Sequence, residues 1–212
     1  EGHELVLHGG GPLLRQGLRQ ILEGDPERRF GDIEEASNGQ ELLKLLSERC
    51  FTIVILDISL PGRSGLDLIG DIRKMCPETK VLMLSMFSEE QYAIKALKLG
   101  ASGYLTKNSA PDELIRALLK ICSGQRYITS SLAERITFDL LDEKNRSEIE
   151  LLSPRELEVI ALLASGKTIT TIAQELSLSP KTISTYRERI LSKLNLKTTS
   201  GIIRYAIREG LV

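Results

Sequence analysis

No stretch of the 212 residues stays apolar long enough to cross a bilayer, which argues against a membrane span. The first residues lack both the basic start and the apolar core of a secretory leader, so no targeting segment is expected. Cysteine is scarce. Cys50, Cys76 and Cys122 stand at no metal-ligand spacing, and an odd number makes a poor disulfide framework, so a reducing, cytoplasmic setting is expected. Histidine is limited to His3 and His8. The stretch "LVLHGGGPLLRQGL", residues 5 to 18, contains three consecutive glycines and no carboxylate.

What is present is an ordinary globular composition, 42% hydrophobic and 27% charged with a formal net charge of -1. The length suits one large domain or two small ones, and the chain has two grammars. Up to residue 122, short apolar runs ("ELVLH", "FTIVILD", "VLMLS", "SGYLT" and a weaker "DIEEAS") alternate with helix-period stretches near residues 13–23, 40–48, 65–75, 89–98 and 111–122. "TIVIL" and "VLML" are continuously apolar, as strands covered on both faces of a parallel sheet should be. Five strand–helix units in succession predict a doubly wound α/β domain over residues 1–122.

Residues 123–150 carry one short helical pattern and then a charged, glycine-free run, which reads as a linker: a solvated spacer or a regulatory element. From residue 151 to 212 every strong pattern is helical, giving a small four-helix, all-α domain. "SPRE" combines Ser153 as N-cap, Pro154 in the first helical position and Glu156 as capping-box partner. Leu157, Ile160, Ala161 and Ala164 form one apolar face. Ile169, Ile172, Ala173 and Leu176 form a second, and Ser179–Pro180 opens a third helix that buries Ile183, Ile190, Leu191 and Leu194.

Two helices joined by a short turn, the second polar and basic, predict a helix-turn-helix. Residues 178–208 hold Lys181, Arg187, Arg189, Lys193, Lys197, Arg204 and Arg208 against Glu188 alone, the electrostatic footprint of a phosphate binder. The whole segment from "LSPRE" through "LSPKT" to the "KL" end resembles a LuxR-type DNA-binding domain. Lys181, Thr182, Ser184, Thr185, Arg187, Glu188, Arg189 and Lys193 are the candidate DNA contacts. Lys181, Arg187, Arg189 and Lys193 suit phosphates, whereas Ser184, Thr185 and Glu188 face the groove. Family members often carry Lys or Arg where this chain has Ser184 and Glu188, so the preferred site does not transfer from relatives. Ile203, Ala206 and Ile207 form a stripe on the last helix that points to a homodimer.

The first half resembles a response-regulator receiver over about residues 4 to 122. "VILDISLPGRSGLDLI" matches the phosphoacceptor strand and loop with Asp57 at the acceptor position. "VLMLS" supplies Ser85, and "GASGYLTK" supplies the switch aromatic Tyr104 and Lys107. The order receiver, linker, LuxR-type domain is that of the NarL/FixJ group, which implies a transcription regulator acting on double-stranded DNA, with a histidine kinase or other signalling protein as a possible partner.

In that register, fixed by Pro12, Arg15 and Gly17, the pair of acids ending the first strand falls on Gly9 and Gly10. Both carboxylates are gone. Three carboxylates facing one lysine would leave a surplus of negative charge that invites a divalent cation; Asp57 facing Lys107 alone sums to about zero. Mg²⁺ binding is therefore expected to be weak or absent, no other cofactor is expected, and Asp57 becomes a poor phosphoacceptor. Ordinary phosphorylation of Asp57 remains the alternative. "HGGG" also matches an esterase oxyanion loop, but "GRSGL" has its second glycine one place early for a nucleophile elbow. The glycines could instead form a backbone anion nest or simply fit a loop.

Overall fold

The computed structural model describes residues 2–9, 11–60, 63–86, 89–129, 133 and 151–211. Most of the expected linker, and Gly10, lie outside these residues. The chain divides into two compact units, residues 1–86 with 96–128, and 87–95 with 129–212.

Up to residue 122 the chain alternates strand and helix: β1 (His3–His8), α1 (Pro12–Glu23), β2 (Phe30–Ala36), α2 (Gly39–Glu48), β3 (Ile53–Asp57), α3 (Gly65–Met75), β4 (Lys80–Ser85), α4 (Glu89–Leu99), β5 (Gly103–Thr106) and α5 (Pro111–Cys122); all but the first part of α4 belong to the first unit. All strand pairs are parallel, in the order β2-β1-β3-β4-β5. That is the doubly wound arrangement expected from the sequence, with its ligand crevice at the carboxyl ends of β1 and β3.

Period-two alternation sends Leu5 and Leu7 of β1 and Ile53 and Ile55 of β3 to one face of the sheet. There they bury against Leu18 and Leu22 of α1 and Leu114, Leu118 and Ile121 of α5. Val6, Val54 and Leu56 go to the other face, where Leu42, Leu68 and Ile72 are also buried. The continuously apolar strands are those buried on both faces. The weak run "DIEEAS" is the edge strand β2, half exposed, which explains its poor signal. Tyr127 bridges to Gly103 and joins the same core, so the first unit runs past α5.

The expectation that the cysteines make no disulfide is overturned. Cys50 and Cys76 form a disulfide, and Cys122 alone is free. Spacing along the chain hides the pair because it links the α2–β3 and α3–β4 connections, which the parallel sheet brings to the same edge.

From residue 151 on, the described helices are α6 (Pro154–Ala164), α7 (Ile169–Glu175), α8 (Pro180–Lys193) and α9 (Thr199–Arg208). Ser153 and Glu156 form the full capping box, Pro154 opens α6, and Thr168, Ser179 and Thr198 cap the following three helices through their hydroxyls. Ser177, at φ 52, turns the chain between α7 and α8. Ile160, Ile172, Ile183, Ile190, Ile202 and Ala206 are fully buried.

Candidate functional site

Two groups of residues carry chemistry, one in each unit. The first lies at the carboxyl edge of the sheet. Asp57 ends β3 and is 3% exposed. Its Oδ2 accepts from the Lys107 ammonium at 2.5 Å, and its Oδ1 accepts from the Ser59 backbone N–H at 3.1 Å. Both oxygens thus have partners from the chain itself. Ser85 ends β4 and is buried, and the Lys107 N–H donates to its carbonyl at 2.7 Å, which fixes the Lys107 backbone beside β4. Tyr104, on β5, is fully buried. The four residues expected from the sequence are therefore at the strand ends that face the crevice, or within the strand leading to it.

Two glycines set how closely the backbone approaches Asp57. Gly65 opens α3 so near β3 that a Cβ there would collide with the Asp57 carbonyl oxygen. Gly9, directly after β1, has φ 85, and a Cβ on it would collide with the Asp57 Cβ and the Leu60 side chain. The Gly9 backbone lies close beside Asp57 in a left-handed conformation that only glycine adopts without strain. Pro12 follows at the start of α1, whose N-cap Gly11 offers no side-chain cap and whose first turn has no acid.

His8 is the residue that the sequence alone did not interpret. It is 3% exposed, its Nδ1–H donates to the Ala36 carbonyl at 3.0 Å, and its Nε2 is buried without a partner. Burial pushes its pKa below the ordinary value of 6.5, with the Ala36 hydrogen bond opposing part of that effect. Alternation along β1 and β3 puts His8 with Val6 and Leu56, on the face opposite Asp57, so the two cannot act as an acid–base pair. Ser64, the serine of "GRSGL", is fully buried and caps α3. An exposed nucleophile is missing there, which removes the esterase reading of "HGGG".

The second group is on α8. Lys181, Thr185, Glu188 and Arg189 are exposed along it. The Ser184 hydroxyl donates to the Pro180 carbonyl at 3.0 Å and the Thr185 hydroxyl to that of Lys181 at 3.1 Å, which turns their lone pairs outward as acceptors. The other candidate residues have additional ties. The Thr182 hydroxyl shares the α8 cap with Ser179 at 2.8 Å. Arg187 is half-buried and reaches the Thr199 hydroxyl of α9 at 3.4 Å, with its Nε buried and unpartnered. Lys193 binds Glu156 of the α6 capping box at 2.6 Å. Burial opposes the ionised form of Glu156, but hydrogen bonds from Lys193 and from the Ser153 backbone outweigh it and hold the carboxyl below its ordinary range.

On α9 the expected stripe needs correction. Ala206 is fully buried, with Ile202 and Tyr205, against the domain's own core, and so cannot meet another molecule. The surplus stripe is Ile203, half-buried, and Ile207, 60% exposed. The difference is one of phase: the packing face of α9 is rotated by about one residue from the Ile203–Ala206–Ile207 line.

Comparison with known proteins fits this geometry. Residues 11–119 match the response regulator receiver domain family, and residues 150–206 match the luxR family of bacterial regulatory proteins. The chain is 36% identical over 200 residues to the response regulator UvrY of Escherichia coli, covering 94% of this chain and 91% of that one. It is 32% identical over 217 residues to the oxygen regulatory protein NreC of Staphylococcus epidermidis, covering 99% of both. Among solved structures it resembles Salmonella typhimurium RcsB over the full length of both chains, with 26% identity and a TM-score of 0.67. It also resembles the two-component response regulator RcsB in complex with DNA, over 97% of this chain and 98% of that one, with 26% identity and a TM-score of 0.60. With a receiver domain ahead of a LuxR-type helix-turn-helix domain, the chain belongs to the LuxR-family response regulators.

Proposed function

We propose that the protein is a DNA-binding transcription regulator, working as a homodimer in the cytoplasm, whose receiver is not switched by ordinary Mg²⁺-dependent phosphorylation of Asp57. The observation that carries the second part is the Asp57–Lys107 pair at 2.5 Å, with the Gly9 backbone close beside Asp57. A Mg²⁺ ion needs oxygen donors in octahedral array and gives up its water reluctantly. Among the described residues the pocket offers one carboxylate, already neutralised by an ammonium, so its residues do not fit the metal. Without the metal, the charge that develops in phosphoryl transfer has only Lys107 among them to meet it. The receiver then serves as a dimerisation or protein-interaction module, or senses something other than phosphate.

DNA binding is supported by the basic α8 and by the likeness to the RcsB–DNA complex. The second helix of a helix-turn-helix enters the major groove, and a symmetric dimer reads two half-sites. Lys181 and Arg189 supply phosphate contacts. Ser184 and Thr185, with their lone pairs outward, and Glu188 accept hydrogen bonds from exocyclic amino groups of cytosine or adenine.

Phosphorylation on Asp57 is the second reading. Asp57, Ser85 and Lys107 all keep their positions, and the relatives bear the names of response regulators. DNA binding by the wild type and by Asp57→Ala across a genome separates the two. The proposed function expects the same sites with near-equal occupancy, whereas phosphorylation control expects induced binding to disappear in the variant.

A further inference from the structure

The Cys50–Cys76 disulfide has no part in DNA binding or in the chemistry around Asp57, and its placement suggests a use of its own. Cys50 lies between α2 and β3 and is exposed; Cys76 caps the end of α3 and is 1% exposed. Their Cα atoms are 5.7 Å apart, a separation at which the bond forms and breaks without moving the backbone. The closed segment holds all of β3, Asp57 and all of α3. The cross-link therefore joins the far ends of the two elements that converge on Asp57, where Gly65 at the start of α3 lies so near that a Cβ would collide with the Asp57 carbonyl. The reduced state is accommodated as well. A buried Cys76 thiol has the Leu46 carbonyl as acceptor, 3.7 Å from its sulfur. A permanent disulfide does not persist in the reducing compartment where a DNA-binding regulator works, and disulfides found there are transient; this step rests on the function proposed above.

We propose that Cys50 and Cys76 are a reversible thiol–disulfide site on the receiver that takes a small hydroperoxide as its oxidant. The exposed Cys50 thiolate attacks one peroxide oxygen. The O–O bond breaks, Cys50 becomes a sulfenic acid, and the departing hydroxide takes a proton to give water. The Cys76 thiolate then attacks the Cys50 sulfur, the S–S bond forms, and the second hydroxide leaves as water. Two thiols and one hydrogen peroxide thus yield one disulfide and two waters. Two glutathione thiols reverse the step and leave as glutathione disulfide. Cys122, at the end of α5, takes no part: it lies outside the cross-linked pair and is free.

The test uses the full chain, equilibrated over a range of glutathione to glutathione disulfide ratios, quenched in acid, denatured and labelled with maleimide for mass spectrometry. The expected result is interconversion within that range between one labelled cysteine, Cys122, and three, with the cross-link restored by stoichiometric hydrogen peroxide. The oxidised chain should melt roughly 5–15 °C above the reduced one. In Cys76→Ser, peroxide should leave a dimedone-reactive sulfenic acid on Cys50. A cross-link that survives the most reducing ratio makes the bond a permanent structural one and overturns the proposal, as does a chain that shows three thiols at every ratio. A sulfenic acid on Cys76 in Cys50→Ser, with none on Cys50 in Cys76→Ser, overturns the order of attack. None of these readings involves DNA, so failure here leaves the DNA-binding function standing, and loss of DNA binding leaves the titration intact.

Discussion

The Lys107 ammonium sits 2.5 Å from Asp57 Oδ2, and the pair is nearly closed from solvent, with side chains 13% and 3% exposed. A buried ion pair adds little over an apolar pair, but removing one partner strands the other charge. The two partners differ in reach. Lysine has a long stem and can carry its head to water, whereas Asp57 is held at the end of β3. Lys107→Ala should therefore destabilise the protein by about 3 kcal/mol, and Asp57→Ala by clearly less. Urea denaturation of both variants and of the double variant measures this. Equal losses would mean that the pair is as exposed to water as any surface ion pair.

On α8 the basic residues Lys181, Arg189 and Lys193 are exposed, but Lys193 is paired with Glu156. Lys181→Ala with Arg189→Ala should lower DNA affinity for all sequences and reduce the slope of log affinity against log salt by about 2, roughly one for each phosphate no longer neutralised. Lys193→Ala should instead cost folding stability, because Glu156 is 2% exposed and would be left without its cation. Binding measured from low to moderate salt, with thermal melts of each variant, distinguishes the two classes. An unchanged salt slope in the Lys181, Arg189 variant would place α8 away from the phosphates.

The dimer prediction moves to Ile207. Because it is 60% exposed, Ile207→Asp should leave the fold of the domain intact while weakening binding to a two-half-site operator more than to a single half-site. Ala206→Asp would buckle the core and says nothing of dimers. Equal losses on one and two half-sites would remove α9 from the interface.

His8 gives the protein a pH dependence of definite sign. Its pKa is lowered in the folded state, so the unfolded chain binds the proton first as pH falls through 6.5. The contribution of neutral His8 is complete above that pH and is lost below it, with a slope of at most about 1.4 kcal/mol per pH unit. His8→Leu should flatten the decline in melting temperature between pH 7.5 and 5.5. The Ala36 carbonyl stays satisfied in that variant by the Gly9 N–H. A decline of the same steepness in both proteins would assign the effect to other groups.

Much of this is legible in the sequence, and the exceptions have a common origin. The strands, the helices of both units and the caps at Ser153 and Ser179 follow from local signals, apolar runs and helical spacing, whereas Asp57, Ser85, Tyr104 and Lys107 are singled out by the resemblance to receivers. The Cys50–Cys76 bond and the Lys193–Glu156 and Arg187–Thr199 contacts join residues far apart in the chain, and no periodicity encodes them. Ala206 sits off the expected surface because α9 carries five apolar positions on overlapping stripes, and only the neighbouring helices decide which one is covered. The triple glycine is visible in the sequence; that the Gly9 backbone lies against Asp57 in a left-handed conformation shows only in its φ angle and its neighbours.

With Asp57 already paired to Lys107, the proposed receiver should neither recruit Mg²⁺ nor take up a phosphoryl group. Titration calorimetry with Mg²⁺, followed by addition of beryllofluoride, tests it most directly. The native protein should give no heat of Mg²⁺ binding in the low millimolar range, about the physiological window, and no beryllofluoride on Asp57. Asp introduced at Gly10 with Asp at Gly9 should bind Mg²⁺ only after the loop abandons the left-handed turn, so that variant should also be less stable by roughly 1–3 kcal/mol. If the native chain binds Mg²⁺ at physiological concentration and carries beryllofluoride on Asp57, the receiver is a conventional one and the account is wrong.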